Sequence, residues 1–221
     1  MSSTPTCHGT AKGWDLVDAV LYINLEHRVD RREHILSELA RMGVPSDKIW
    51  RVDAVRRDVG ALGCTLSHVK AMDLVLEKGW RHVLILEDDF TWMPGCSAEE
   101  IGRQVEDLIS SKAGRWDVVQ ISWNPSGRIV GTGLLPWLRR ATGVRTTSGY
   151  FVRGGFTEDL KMCFGEAAAE MIRFGWASDR CCDMWWHGLQ NDSDWYVAFP
   201  PWGYQMDGWS DVEGKDVSYG C

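Results

Sequence analysis

The 221-residue sequence has no CxxC pair among its seven cysteines, no apolar run long enough to cross a bilayer, and no excess of basic charge. Each absence excludes something. Without CxxC spacing, a zinc ribbon or finger has no support. The cysteine count is odd, the spacing is irregular, and Cys181 and Cys182 are adjacent, so the thiols read as reduced, buried groups of an intracellular chain. The start is small and polar, without the basic and apolar regions of a signal peptide, and residues 1–17 are expected to be a flexible segment. The expected location is cytoplasmic or otherwise intracellular, in soluble form, with no integral membrane segment. With 31 acids against 24 bases the formal charge is -7, which repels phosphate backbones, so no nucleic-acid partner is expected. Internal repeats and low-complexity linkers are missing too. At 44% apolar and 25% charged residues, the composition excludes disorder, collagen and coiled coil, and the length suits one large domain.

Tryptophan is the residue present in excess, with 13 copies. Apolar runs at 19–23 and 82–86 have the continuous character of parallel strands covered on both faces. A helix is expected over 31–42, capped by Asp30 with Glu33 closing a capping box, and with Ile35, Leu36, Leu39 and Met42 on one face. A strand over 49–55 and a helix over 64–78 follow, the latter with Leu66, Val69, Met72, Val75 and Leu76 inward and Gly79 as its stop. Further strands are expected at 117–123, 147–152 and 195–199, helices at 157–174 and 183–190, and a loop from Pro200. This alternation predicts an α/β domain: one mixed, mostly parallel sheet flanked by helices.

Chemistry concentrates in three places. Glu87, Asp88 and Asp89 end a buried strand, where uncompensated acids are costly and where ligands sit in open α/β sheets. Strand alternation places Glu87 and Asp89 on one side and Asp88 on the other. Two converging carboxylates suit a hard divalent cation, Mn2+ or Mg2+, which would carry a diphosphate that an acidic protein otherwise rejects. The alternative is a solvated turn or an N-cap pair. Asn24, Leu25, Arg28 and Arg31 surround a helix start, where two guanidinium groups and the helix N-terminus can meet a phosphate. The alternative there is a solvent-facing first turn. Finally, Gly60 and Gly63 precede Cys64, Ser67 and His68 without the lysine of a P-loop. Taken alone, His68 reads as a satisfied helix histidine and Cys64 as a small core residue.

Tyr22-Ile23-Asn24-Leu25 with Arg28 and Asp30-Arg31-Arg32, then Gly63-Cys64 with Ser67-His68, then Leu86-Glu87-Asp88-Asp89, resembles family 25 of the glycosyltransferases, the lipooligosaccharide-biosynthesis and procollagen-galactosyltransferase group. A looser likeness continues through residues 147–151 and 210–213. The resemblance implies a GT-A-like single domain over 18–221, with 18–90 as the nucleotide-sugar half and 115–221 as the acceptor half. It implies a nucleotide-sugar donor of the UDP-hexose kind, a glycan, lipid-linked or protein hydroxyl as acceptor, and transfer with inversion. On this reading Asn24, Leu25, Arg28, Arg31, Ser67, His68, Glu87 and Asp88 bind the donor, and Asp89 with Glu87 holds the metal. The late histidine that often completes such a metal shell has no counterpart after His187, where the chain offers Gln205, Asp207 and Asp211. Asp183 is the first candidate for the general base and Asp211 the second, and a plain helix cap is the alternative for Asp183. Trp185, Trp186, Trp195, Trp202 and Trp209 divide between core packing and stacking on a sugar. Two other functions stay open. A non-catalytic carbohydrate-binding module would account for the tryptophans but not the acids. A sugar nucleotidyltransferase would share the acids and the phosphate pocket.

Overall fold

Ala19–Asn24 is buried along its whole length, with Val20 and Tyr22 in one hydrophobic cluster and Ala19, Leu21 and Ile23 in the other. That segment is β1 in the computed structural model, which describes residues 12–110, 112–124, 126–211 and 214–218. After it come α1 (Val29–Arg41), β2 (Ile49–Asp53), α2 (Gly60–Lys78), β3 (His82–Glu87), β4 (Phe90–Trp92), α3 (Ala98–Ile109) and β5 (Val118–Gln120). The remainder is β6 (Arg128–Gly131), β7 (Leu138–Thr142), β8 (Gly149–Arg153), α4 (Thr157–Phe174), α5 (Cys182–Trp185), α6 (His187–Asp192), β9 (Trp195–Ala198), β10 (Gly203–Gln205), β11 (Gly208–Ser210) and β12 (Lys215–Val217).

Eight strands form one mixed sheet in the order β2-β1-β3-β8-β5-β9-β7-β6. Following the pairings across it, β7 and β8 oppose the direction shared by the other six strands. Ile35 and Leu39 of α1 and Ile101 and Val105 of α3 pack on one face, and Met72 and Val75 of α2 and Leu160 and Phe164 of α4 on the other. The result is the expected α/β sheet with helices on both sides. Most tryptophans serve these clusters: Trp14, Trp92, Trp116, Trp137 and Trp202 belong to the first, and Trp123, Trp186 and Trp195 to the second.

Several local expectations need correcting. Helix α1 begins at Val29, so Asp30 lies inside its first turn and makes no capping box with Glu33. Its carboxylate is held by Arg28 through Nε at 3.0 Å and Nη2 at 2.8 Å. Leu36 is exposed. Helix α2 starts at Gly60 rather than Cys64, and its buried face is Ala61, Gly63, Thr65, Ser67, His68, Ala71, Met72 and Val75. Leu66 and Val69 are only partly buried and Leu76 is exposed. A Cβ on Gly63 would fall 2.5 Å from the Val55 carbonyl oxygen, so this helix sits hard against the loop after β2. The helix expected over 183–190 is split at Trp186 into α5 and α6, and the stretch from Pro200 carries three short strands. Of the segment 1–17 expected to be flexible, residues 1–11 lie outside the described residues. Lys12–Leu16 form a 3-10 helix, and the buried Trp14 donates its indole N–H to the Met42 carbonyl at 2.9 Å.

Two features of this topology position the site. The parallel strands β2, β1 and β3 present their carboxyl ends at one edge, and β8, running the other way beside β3, brings its amino end to that same edge. In addition, β10 pairs with β4, setting Gln205 opposite Phe90 next to the acids. Phe90 is clamped there: a Cβ on Gly149 would lie 2.8 Å from its ring, and one on Gly203 closer still.

Candidate active site

At that edge a pocket of about 320 Å³ opens, in the size range of small-molecule sites. Leu25, Arg31, Ser67, His68, Glu87, Asp88, Asp89 and Asp211 line it among the expected residues; Asn24, Arg28 and Asp183 do not.

The acids leave the strand alternation at Glu87, where β3 ends. Asp88 and Asp89 therefore converge instead of diverging: Arg31 Nη1 donates to Asp88 Oδ1 at 3.1 Å and to Asp89 Oδ2 at 3.0 Å. Asn24 Nδ2 adds a 2.7 Å bond to Asp88 Oδ2, and its own Oδ1 accepts from Arg51. Arg31 is itself buried and donates through Nη2 to the Trp209 carbonyl at 2.6 Å, so it is the buried counter-ion of the acids and not a solvent-facing first-turn residue. Asp89 Oδ1 is buried and has no hydrogen-bond partner. Burial, and after it the neighbouring Glu87 charge, push the Asp89 carboxyl up to about 7 despite Arg31. Burial likewise raises Asp88.

Glu87 faces a different set of groups. Its Oε1 accepts from Thr147 Oγ1 at 2.6 Å and meets His68 Nε2 at 3.2 Å. The other nitrogen of His68, Nδ1, is 2.9 Å from the Tyr150 hydroxyl. Burial opposes charge on both partners, but their contact prevails: Glu87 is held below the usual carboxylate value and His68 above the usual imidazole value. Cys64 also lies here; its thiol, hydrogen-bonded to that of Cys182, is pushed well up, while Cys182 is held down. Ser67 lines the pocket with its hydroxyl engaged by the protein. Its hydroxyl donates to the Gly63 carbonyl at 2.7 Å and accepts the Val55 N–H at 2.8 Å, which fixes the wall formed by the loop after β2.

The two base candidates stand apart. Asp183 is the second residue of α5, which has Cys181 at its N-cap, so it is not the cap. Its Oδ2 accepts the Thr146 N–H at 3.3 Å, and burial raises its pKa. Thr146 has φ +84°, a left-handed conformation that is strained for a β-branched residue. Gln120 Nε2 secures that turn by donating to the Thr146 carbonyl at 2.8 Å. Asp211 lies at the pocket and is ion-paired with Arg28. Only part of the looser 210–213 likeness can be placed, because Val212 and Glu213 lie outside the described residues. Of the five late tryptophans, Trp186, Trp195 and Trp202 are buried, Trp185 is half-buried, and Trp209, 52% exposed, is the one whose ring is free to stack on a ligand.

Sequence reasoning missed Thr147, Tyr150 and Cys182 as neighbours of Glu87 and His68, because β8 and α5 reach the site through long-range pairing. It also missed Arg56 and Arg57, which line the pocket from the loop after β2. Two adjacent arginines just past a strand at the carboxyl edge were the available signal for them.

No protein-family model and no curated protein matches the sequence. Among solved structures, the chain is similar to a glycosyltransferase involved in the glycosylation of the major capsid of PBCV-1, with 12% identity, 88% of this chain and 95% of that chain covered, and a TM-score of 0.49. It is similar to A197 from STIV, with 14% identity, 90% and 93% coverage, and a TM-score of 0.46. It is also similar to the mannose-1-phosphate geranyltransferase from Thermus thermophilus, with 12% identity, 88% and 75% coverage, and a TM-score of 0.45. Likenesses this loose carry no function from those proteins to this chain.

Proposed function

We propose that the protein is a glycosyltransferase that moves a hexose from a nucleotide-sugar donor, of the UDP-hexose kind, to a hydroxyl acceptor with inversion. The observation that supports this most is the trio of acids at the carboxyl end of β3, facing a pocket that also carries Arg31, Arg56 and Arg57. A cation fits beside them: the buried Asp89 Oδ1, which has no hydrogen-bond partner, offers a hard oxygen toward the pocket. Asp89, with Glu87 as the second carboxylate, would hold Mn2+ or Mg2+, whose chemistry when bound is to neutralise the diphosphate leaving group.

The chain's own residues supply the rest. Arg31 keeps Asp88 and Asp89 in place, and Arg56 and Arg57 offer charge to the phosphates from the opposite wall. A carboxylate removes the acceptor proton as the hydroxyl attacks. Asp183, its pKa raised by burial but outside the pocket lining, is the first candidate for that task, and Asp211, at the pocket but ion-paired with Arg28, is the second. The test is incubation with a panel of nucleotide sugars and simple acceptors, with and without Mn2+. Nucleoside diphosphate release that requires both acceptor and cation supports the reading. Nucleoside triphosphate consumed with a sugar phosphate marks the nucleotidyltransferase, and sugar binding without turnover marks the binding module.

A further inference from the structure

Beside the carboxylates that face Arg31 lies a set of donors of another chemical kind. Cys64 Sγ, a nitrogen of His68 and a carboxylate oxygen of Glu87 all lie within 4.8 Å of one another. Cys64 and His68 are one turn apart on the inward side of α2, and Glu87 meets them from the end of β3. All three line the pocket, so an ion has a path in.

We propose that Cys64, His68 and Glu87 form a binding site for one divalent cation of the zinc class, with the fourth coordination position open to the pocket. The donor set decides the class. Thiolate and imidazole with a single carboxylate select zinc-like ions, whereas Mg2+ and Mn2+ take oxygen-only shells. Bonds of about 2.0–2.3 Å in a tetrahedron put ligand atoms about 3.3–3.8 Å apart. His68 Nε2 and Glu87 Oε1, at 3.2 Å, are already close to that spacing, and the thiol, within 4.8 Å of both, needs a shift of up to about 1.5 Å. The supporting shell is also in place. The Tyr150 hydroxyl sits 2.9 Å from His68 Nδ1, the nitrogen left over when Nε2 binds a metal, and Thr147 holds Glu87 Oε1 at 2.6 Å. Three protein ligands with one open position is the arrangement of reactive rather than purely structural zinc sites. This site shares Glu87 with the hard-cation position at Asp89 but takes its other two ligands, Cys64 and His68, from α2, and its occupancy by metal does not depend on sugar transfer.

The experiment is titration of the metal-stripped full chain with Co2+, read by optical absorption. The expected result is a thiolate-to-cobalt charge-transfer band that saturates at one equivalent and is bleached by Zn2+. Cys64→Ser should abolish the band, and Tyr150→Phe should weaken Co2+ binding by about 10–100-fold, the scale for losing an outer partner of a ligand. Asp89→Asn should leave the band in place. No band with the wild-type chain, a band that survives Cys64→Ser, or a band that vanishes in Asp89→Asn would each overturn the proposal. The band and the nucleotide-sugar assay are independent readouts, so loss of one does not imply loss of the other.

Discussion

The two ends of the sheet bury opposite kinds of side chain. At the β1–β3 end, Arg31, Asn24, His68, Asp88 and Asp89 are all at least nine-tenths buried, and each meets a polar or charged neighbour. At the β9 end, Trp186 and Trp195 stack edge to face with ring centroids 4.9 Å apart, and their indole N–H groups end on the Val144 carbonyl and on Gln120. The second arrangement stabilises the fold through area and shape. The first costs stability to assemble unless the charges compensate one another. The buried charges of the proposed site and the aromatic packing thus occupy different parts of one sheet.

The largest effects should show that division. Trp186→Ala removes a fully buried ring and should cost about 3–5 kcal/mol, measured by urea unfolding. Arg31→Met leaves Asp88 and Asp89 facing each other without their counter-ion, and should cost a similar amount, about 3–5 kcal/mol. Near-normal stability in Arg31→Met would mean that the acids are protonated at rest and that no charge network holds this end together. Next comes Asp89→Asn, which should lower turnover about a hundredfold or more while the protein melts no earlier than wild type. Full activity in that variant would remove Asp89 from the cation site.

A pH scan sharpens the same contrast. Asp89 titrates at about 7 in the folded chain, far above its ordinary value near 3.8, so the folded state holds a proton that the unfolded state has released. Stability from this group is present in full below about pH 4 and is lost as the pH rises towards 7. Without metal, Tm should therefore fall across that window, and Asp89→Asn should flatten the fall in part, because burial raises Asp88 and Asp183 in the same direction. His82 and His187, held below the usual imidazole value by burial, act in the opposite sense, so the decisive reading is the difference: a slope unchanged in Asp89→Asn would refute the assignment. The smallest effect belongs to the part-buried Arg28–Asp211 pair, whose arginine also holds Asp30: Asp211→Asn should change stability by about 1 kcal/mol. If the same variant lost turnover at saturating donor while Asp183→Asn kept it, Asp211 would be the base.

Much of the acid end could be read from the sequence. The runs around residues 20 and 84 are apolar on both faces, which marks central parallel strands, and acids directly after such a strand are conspicuous because burial makes them expensive. Their partners could be read only in part. Arg31 was visible as a charge near a helix start, but whether it met a phosphate or two carboxylates depended on where β3 stopped. Alternation failed at Asp88 because the chain turns there into β4. On α2, Met72 and Val75 face inward as expected, but near the helix start close approach to the loop after β2 selects glycine and serine, so Leu66 falls outside the buried face. Thr147, Tyr150 and Gln205 could be singled out in the sequence but not placed, because no local pattern announces that a reversed strand or a returning tail will land beside residue 87.

Those returning contacts have a consequence for the order in which the molecule acquires its site. Arg31 reaches the acids across 57 and 58 residues of chain but reaches the Trp209 carbonyl across 178, and Arg28 meets Asp211 across 183. Closing such long loops comes late in folding, because their entropy must be lost before their contacts form. A chain emerging from the ribosome can therefore build β1 to β3 and pair Arg31 with the acids long before the wall made by residues 205–211 exists. Gln205, Ser210 and Asp211 are the last lining residues to be synthesised, so the pocket wall is completed only after Arg31 and the acids are in the chain.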